Sequence, residues 1–243
     1  MAFVLALAQG SVRLLEVLPD LEPSEISIPG LPKDVASAAG QSAITDRSPS
    51  RRLQGSEGQK VRQRQYARQI DGALRPFLAG LDIPLILAAA EPLASIYRSV
   101  NTYPHLASTV IPGNPESTSD VDLAAGARGV LDRLYADELR EIHELYARRA
   151  SEHRAAADVV DVARAATYGA VDTVLVDIDR VTPGVIDGET GAVTFAGASG
   201  ASSYGVVDEI ARRVLLAGGR VLAVRSDDIP GAGEVAAILR YAI

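Results

Sequence analysis

The chain has no cysteine, no tryptophan and only three histidines. Without thiols it can form no disulfide, no thiolate-ligated zinc or iron–sulfur site and no cysteine nucleophile. His105, His143 and His153 are scattered along the sequence, so a histidine-based metal site is not expected either. Lysine is nearly missing: Lys33 and Lys60 stand alone, and arginine supplies the rest of the 24 basic residues. No apolar run approaches the roughly 20 residues that span a bilayer. The apolar first residues lack a basic leader and resume in alternation after Gln9 and Gly10, which reads as strand rather than signal peptide. The expectation is a cytoplasmic monomer with no membrane attachment, no metal and no cofactor.

What is present is a folding composition. Of 243 residues, 47% are hydrophobic and 23% charged, which excludes wholesale disorder and allows one large domain or two ordinary ones. The net charge of −7 argues against a general nucleic-acid coat, because an acidic field repels phosphate. That charge is unevenly spread. Between residues 47 and 75 the basic side chains Arg47, Arg51, Arg52, Lys60, Arg62, Arg64, Arg68 and Arg75 face only Glu57 and Asp71. One basic stretch is set in an otherwise acidic chain.

Two apolar-rich stretches, the second alternating, predict strands over residues 3–8 and 11–18, joined by a hairpin at Gln9 and Gly10. A short edge strand is expected at 26–28, after a proline-punctuated segment. Residues 35–59, rich in Ser, Ala, Gly, Gln and Arg, have no period and read as a long flexible loop. A helix follows from about Lys60, with Val61, Tyr66, Ile70, Ala73, Leu74 and Phe77 as its apolar stripe. Strands are expected at 84–89 and 108–111, with a helix at 91–100 between them. Pro112, Gly113, Asn114 and Pro115 form a strong breaker and a candidate domain boundary. Ser119 is a plausible N-cap for a helix running to about His153, with a break expected near Gly126 and Gly129. Beyond it, helices at 159–166 and 206–216 alternate with strands at 171–178, 220–225 and 235–241, and a hairpin is expected within 185–195. That alternation is the pattern of an α/β/α layered domain.

Two stretches could carry chemistry. The basic loop and helix would suit phosphate, because arginine grips phosphate oxygens bidentately; a merely solvated helix face is the plainer alternative. The run Val174-Leu175-Val176-Asp177-Ile178-Asp179 places an Asp-x-Asp pair at a strand end, resembling the first motif of haloacid-dehalogenase-like phosphatases. In such an enzyme Asp177 would attack phosphorus and Asp179 would act as acid and base around Mg²⁺, yet no lysine follows to balance the phosphoryl charge. The pairs Gly218-Gly219 and Gly231-Ala232-Gly233 fit no nucleotide-binding pattern and read as a helix stop and a turn. No Ser–His–Asp set is recognisable.

Several stretches taken together resemble a known family. Residues 159–177, reading from Val159 through Tyr168-Gly169-Ala170-Val171 to Asp177, are similar to the C-terminal domain of archaeal and eukaryotic peptide-chain release factors and of Pelota. The likeness continues through residues 204–225 and 229–241, and is nearest to bacterial relatives of these factors, the Balon-related group included. It implies an RNase H-like α/β middle domain over 1–117 and a kink-turn-binding ribosomal-protein-like α/β/α sandwich over 118–243. The family's N-terminal domain would precede Phe3, so either the chain is a fragment or this member lacks it. The resemblance implies a ribosome-associated factor of the rescue, release or hibernation type entering the A site. Its partners would be rRNA, tRNA and a translational GTPase.

The family's Gly-Gly-Gln signature lies on a loop before a basic helix, and the matching position is Glu57-Gly58-Gln59. The resemblance thus makes Gly58 and Gln59 the catalytic candidates for peptidyl-tRNA ester hydrolysis, and Arg51, Arg52, Lys60, Arg62 and Arg64 the RNA-contacting ones. Glu57 replaces a glycine whose freedom such chemistry needs to place a backbone donor at the developing oxyanion, so efficient hydrolysis is not expected. Ala39-Gly40-Gln41 is a poorer match because no basic helix follows it directly.

Overall fold

The computed structural model describes residues 1–38, 56–196 and 205–242. It divides into two units, Met1–Leu134 and Tyr135–Ile243. Both are mixed α/β, and no helix among the described residues is long and apolar enough to cross a membrane.

The first unit is a five-stranded sheet ordered β3-β2-β1-β4-β5. Strands β1 (Ala2–Leu7) and β2 (Val12–Val17) form the expected hairpin, and Ala8 N–H closes its turn on Ser11 O at 2.9 Å. The edge strand is β3 (Ser24–Ile26), two residues earlier than the expected 26–28, because Ser24, Glu25 and Ile26 are the residues that pair with β2. Strand β4 (Leu85–Ala89) runs parallel to β1, and β5 (Leu106–Ile111) parallel to β4. Both faces are covered, so β1 and β4 are buried along their whole lengths. The two-residue period sorts the side chains. Phe3, Leu5, Leu7, Leu85 and Leu87 pack under the helices α1 (Ser56–Leu78) and α2 (Leu93–Val100). The smaller Ala2, Val4, Ala6 and Ala88, with Ile86, meet the first part of α3 (Asp120–Ser151).

Ser119 caps α3 as expected, accepting the Asp122 N–H at 3.1 Å. The break expected near Gly126 and Gly129 does not occur, and α3 is continuous. Gly126 has a packing role instead. A Cβ there would come within 3.3 Å of Ile111 Cδ1, so the missing side chain lets β5 and α3 approach. The division between the units falls inside α3, whereas the breaker at Pro112 to Pro115 precedes that helix. Leu123, Ala124, Ala127 and Val130 belong to the core of the first unit, and Leu139 and Ile142 to that of the second.

The second unit holds a four-stranded sheet ordered β10-β7-β11-β6. Strand β7 (Val171–Asp177) lies parallel to β10 (Arg220–Val224) and antiparallel to β11 (Val235–Leu239). A two-residue strand, β6 (Ala155–Ala156), completes the edge. Helices α4 (Val159–Thr167) and α5 (Val206–Leu216) cover one face, and the end of α3 covers the other. A small hairpin of β8 (Gly184–Ile186) and β9 (Val193–Phe195) stands apart from the main sheet.

Candidate nucleic-acid interface

The chemistry-bearing stretch of the sequence becomes α1. This helix is amphipathic: Tyr66, Ala67, Ile70 and Leu74 are buried against the sheet, while Lys60, Arg62, Arg64 and Arg68 are exposed. Its inward face also carries polar groups. Gln63 and Tyr66 are buried, and their side-chain amide and hydroxyl have no hydrogen-bond partner among the described residues. Burial, reinforced by the charges of Asp34 and Glu116, pushes the Tyr66 hydroxyl well above its ordinary value and keeps it neutral.

The helix begins earlier than its pattern suggests. Residues 35–38 and 56–59 of the expected loop are helical, and Gly58 and Gln59 lie in the first turn of α1 rather than on a loop before it. Gly58 is buried and Gln59 is exposed. Arg51, Arg52 and the Ala39-Gly40-Gln41 match lie outside the described residues.

The remaining predicted cations are divided between two surfaces. Lys60 and Arg64 line a groove of about 640 Å³ between α1 and α2, together with Val61, Gln65, Arg68, Pro92, Ser95, Ile96 and Ser99. Arg62, two residues from each of them and so on another side of the helix, lines a different concavity with Gln9, Gly10 and Asp34. Arg68, not singled out from the sequence, joins the groove. The signal that could have found it is the four-residue spacing of 60, 64 and 68, which puts three cations on one helical face.

The pairing of these cations sets them apart. Elsewhere most arginines are engaged. Arg13 holds Asp120 at 2.6 Å, Arg75 holds Asp71 at 3.0 Å, and Arg212 and Arg213 both hold Glu209. Arg128 and Arg240 donate to backbone carbonyls. Lys60, Arg62, Arg64 and Arg68 have neither an ion pair nor a side-chain hydrogen bond among the described residues. A row of exposed, unneutralised cations beside a groove is an electrostatic footprint suited to a polyanion.

The wall opposite is α2. Its N-terminal turn is tied by Glu91, whose carboxylate accepts the Ser95 backbone N–H at 3.3 Å and the Ser95 hydroxyl at 2.9 Å. The Ser99 hydroxyl donates to Ile96 O at 2.7 Å. Between the walls, Val61, Pro92 and Ile96 present apolar surface.

The Asp-x-Asp pair has a different setting. Asp177 is 4% exposed, and its carboxylate accepts the Asp179 backbone N–H at 2.9 Å, closing a tight turn at the end of β7. Asp179 is exposed. Among the described residues no three carboxylate or histidine side chains are grouped so as to hold a metal ion.

Comparison with known proteins adds a family and a fold. The sequence model of bacterial archaeo-eukaryotic release factor family 11 matches residues 1–137. No curated protein matches the chain. Among solved structures, the whole chain is similar to Pelota in a model of ribosome-bound archaeal Pelota and ABCE1, with 19% identity and a TM-score of 0.56, over 62% of that chain. It is similar in the same way to Dom34 of S. cerevisiae, described as a translation termination-like factor involved in RNA quality control pathways and interacting with Hbs1. There the identity is 14% and the TM-score 0.57, over 63% of that chain. The chain therefore spans about three fifths of the length of either structure.

Proposed function

Because the chain belongs to bacterial archaeo-eukaryotic release factor family 11, we propose that it is a ribosome-associated translation factor of the rescue, release or hibernation type, entering the A site. On this reading residues 1–117 are an RNase H-like middle domain and residues 118–243 a kink-turn-binding ribosomal-protein-like domain. The protein acts in the cytoplasm as a monomer, with rRNA and tRNA as ligands and a translational GTPase as partner. The observation that carries the reading is the row of cations on α1 that are unpaired among the described residues, where most of the other arginines are engaged. Arg51 and Arg52, which lie outside the described residues, and Arg62, on another side of α1, would make further, separate contacts to rRNA or tRNA phosphates.

Binding of this kind weakens with salt, because each neutralised phosphate releases counterions. The chain is expected to co-sediment with ribosomes at low salt and to leave them as salt rises. The Lys60→Ala, Arg64→Ala, Arg68→Ala triple variant leaves them earlier. A chain that stays in the supernatant at low salt refutes the proposal.

Efficient peptidyl-tRNA hydrolysis is not part of it. Glu57 stands where the signature has glycine, and helical backbone from Ser56 fixes the Gly58–Gln59 segment that the chemistry would use. Ester cleavage on ribosomes is expected at background level for both the wild type and Gln59→Ala. Cleavage that the wild type supports and Gln59→Ala abolishes would establish the release-factor alternative.

A further inference from the structure

We propose that the groove between α1 and α2 binds a single strand of RNA in one orientation. Successive phosphates lie on Lys60, Arg64 and Arg68, and the ribose 2′-hydroxyls face Ser95 and Ser99. The inference rests on the ribosome-associated reading and deepens it, naming the class of strand and the residues that tell RNA from DNA.

The cationic wall sets the phosphates. Residues four apart on a helix rise about 6 Å along its axis, so three cations make an evenly spaced ladder on the scale of successive phosphates in one strand. All three are exposed and unpaired among the described residues. The groove, at about 640 Å³, has the capacity of a small-ligand site, which suits one strand and not a duplex.

The opposite wall has the complementary character. A serine hydroxyl has one hydrogen and two acceptor lone pairs. The Ser95 hydrogen is committed to Glu91 and the Ser99 hydrogen to Ile96 O, so on these two groove-lining residues the hydroxyl oxygens are left to act as acceptors. A phosphate offers only acceptors and gains nothing there, and the Glu91 carboxylate beside Ser95 repels it. A 2′-hydroxyl carries a hydrogen to donate, and it is the group by which a protein distinguishes RNA from DNA. The two walls thus orient the strand, with its phosphate edge on α1 and its sugar edge on α2. Between them Val61, Pro92 and Ile96 offer apolar contact to the bases, beside the polar side chain of Gln65.

The test is fluorescence anisotropy of the whole chain at low salt with short single strands of RNA and DNA of one sequence. The expected result is tighter binding of RNA. Ser99→Ala, at an exposed position, lowers the RNA preference by about fivefold, the worth of one ordinary hydrogen bond, and Ser95→Ala with Ser99→Ala removes the rest. Arg64→Ala weakens RNA and DNA alike. Equal affinity for the two strands, a preference that survives the double serine variant, no binding of either strand, or displacement of bound RNA by an acidic peptide at lower concentration than by free RNA each overturns the assignment. Ribosome co-sedimentation, run beside it, separates the two readings. If it persists while the oligonucleotide result fails, the groove assignment falls and the ribosome-associated reading stands; if it also fails, both fall.

Discussion

Salt dependence offers the most quantitative handle on α1. Each single-strand phosphate neutralised by a lysine or arginine contributes about −0.7 to the slope of log K against log salt. With Lys60, Arg64 and Arg68 each on one phosphate, the groove contributes a slope of about −2.1, or a nearly twentyfold loss of affinity between 50 and 200 mM salt. Removing one of them by Arg64→Ala leaves a contribution of about −1.4, so the same salt step costs only about sevenfold. Arg62 supplies the internal control. It lies on the same helix and carries the same charge, but lines another surface. Anisotropy titrations of a short RNA strand over a salt series measure the slope for the wild type and for each variant. Arg64→Ala and Arg68→Ala are expected to flatten the line by equal amounts, and Arg62→Ala to leave it unchanged. An unchanged slope in Arg64→Ala refutes the ladder, and so does a loss in Arg62→Ala as large as that in Arg64→Ala.

Two further predictions concern the second unit. The Glu209 carboxylate is held down to about 2, chiefly by paired hydrogen bonds from Arg212 and also by Arg213, against the opposing effect of partial burial. A depressed carboxylate stabilises the fold above its ordinary pKa of 4.5 and loses that contribution as pH falls towards about 2. With solvent screening the contribution is about 1 kcal/mol, and Glu209→Gln should flatten the fall of urea midpoints over that window. An identical pH dependence in the variant contradicts this. Gly191, at φ +72°, leaves no room for a side chain: a Cβ would sit 2.8 Å from Arg164 Cα and 2.8 Å from Thr167 Oγ1. Gly191→Ala is expected to cost about 1–3 kcal/mol in urea unfolding, while Gly188→Ala, with open space around it, costs little. Equal midpoints for the two variants would refute the packing argument.

Much of this fold is legible from local chemistry. The Gln9–Gly10 hairpin, the Ser119 cap, the continuous apolar run of β1 and the β-branched run of β7 each declare themselves within a few residues. What is not legible depends on partners distant in sequence. Gly126 reads locally as a helix breaker, and only the approach of Ile111 explains it. The β6 strand has two residues and exists through its pairing with β11. The start of α1 at Ser56 was hidden because Ser56 to Gln59 lack the apolar spacing that marks the rest of the helix. The basic stretch was visible as charge, but its division was not. Lys60, Arg64 and Arg68 share a groove whose other wall, α2, lies some thirty residues on, while Arg62 faces elsewhere. Ser95 and Ser99 carried no sequence signal, because their value lies in where their hydrogens are already spent.

The central claim is that α1 meets ribosomal RNA or tRNA, and crosslinking tests it most directly. A photoreactive amino acid at Val61, an exposed position in the groove between Lys60 and Arg64, would be irradiated in the ribosome-bound state and the adducts mapped by reverse transcription and mass spectrometry. The account predicts crosslinks to A-site tRNA or to rRNA around the peptidyl-transferase centre, lost in the Lys60→Ala, Arg64→Ala, Arg68→Ala background. Crosslinks confined to ribosomal protein, or a pattern that the triple variant leaves intact, would contradict it.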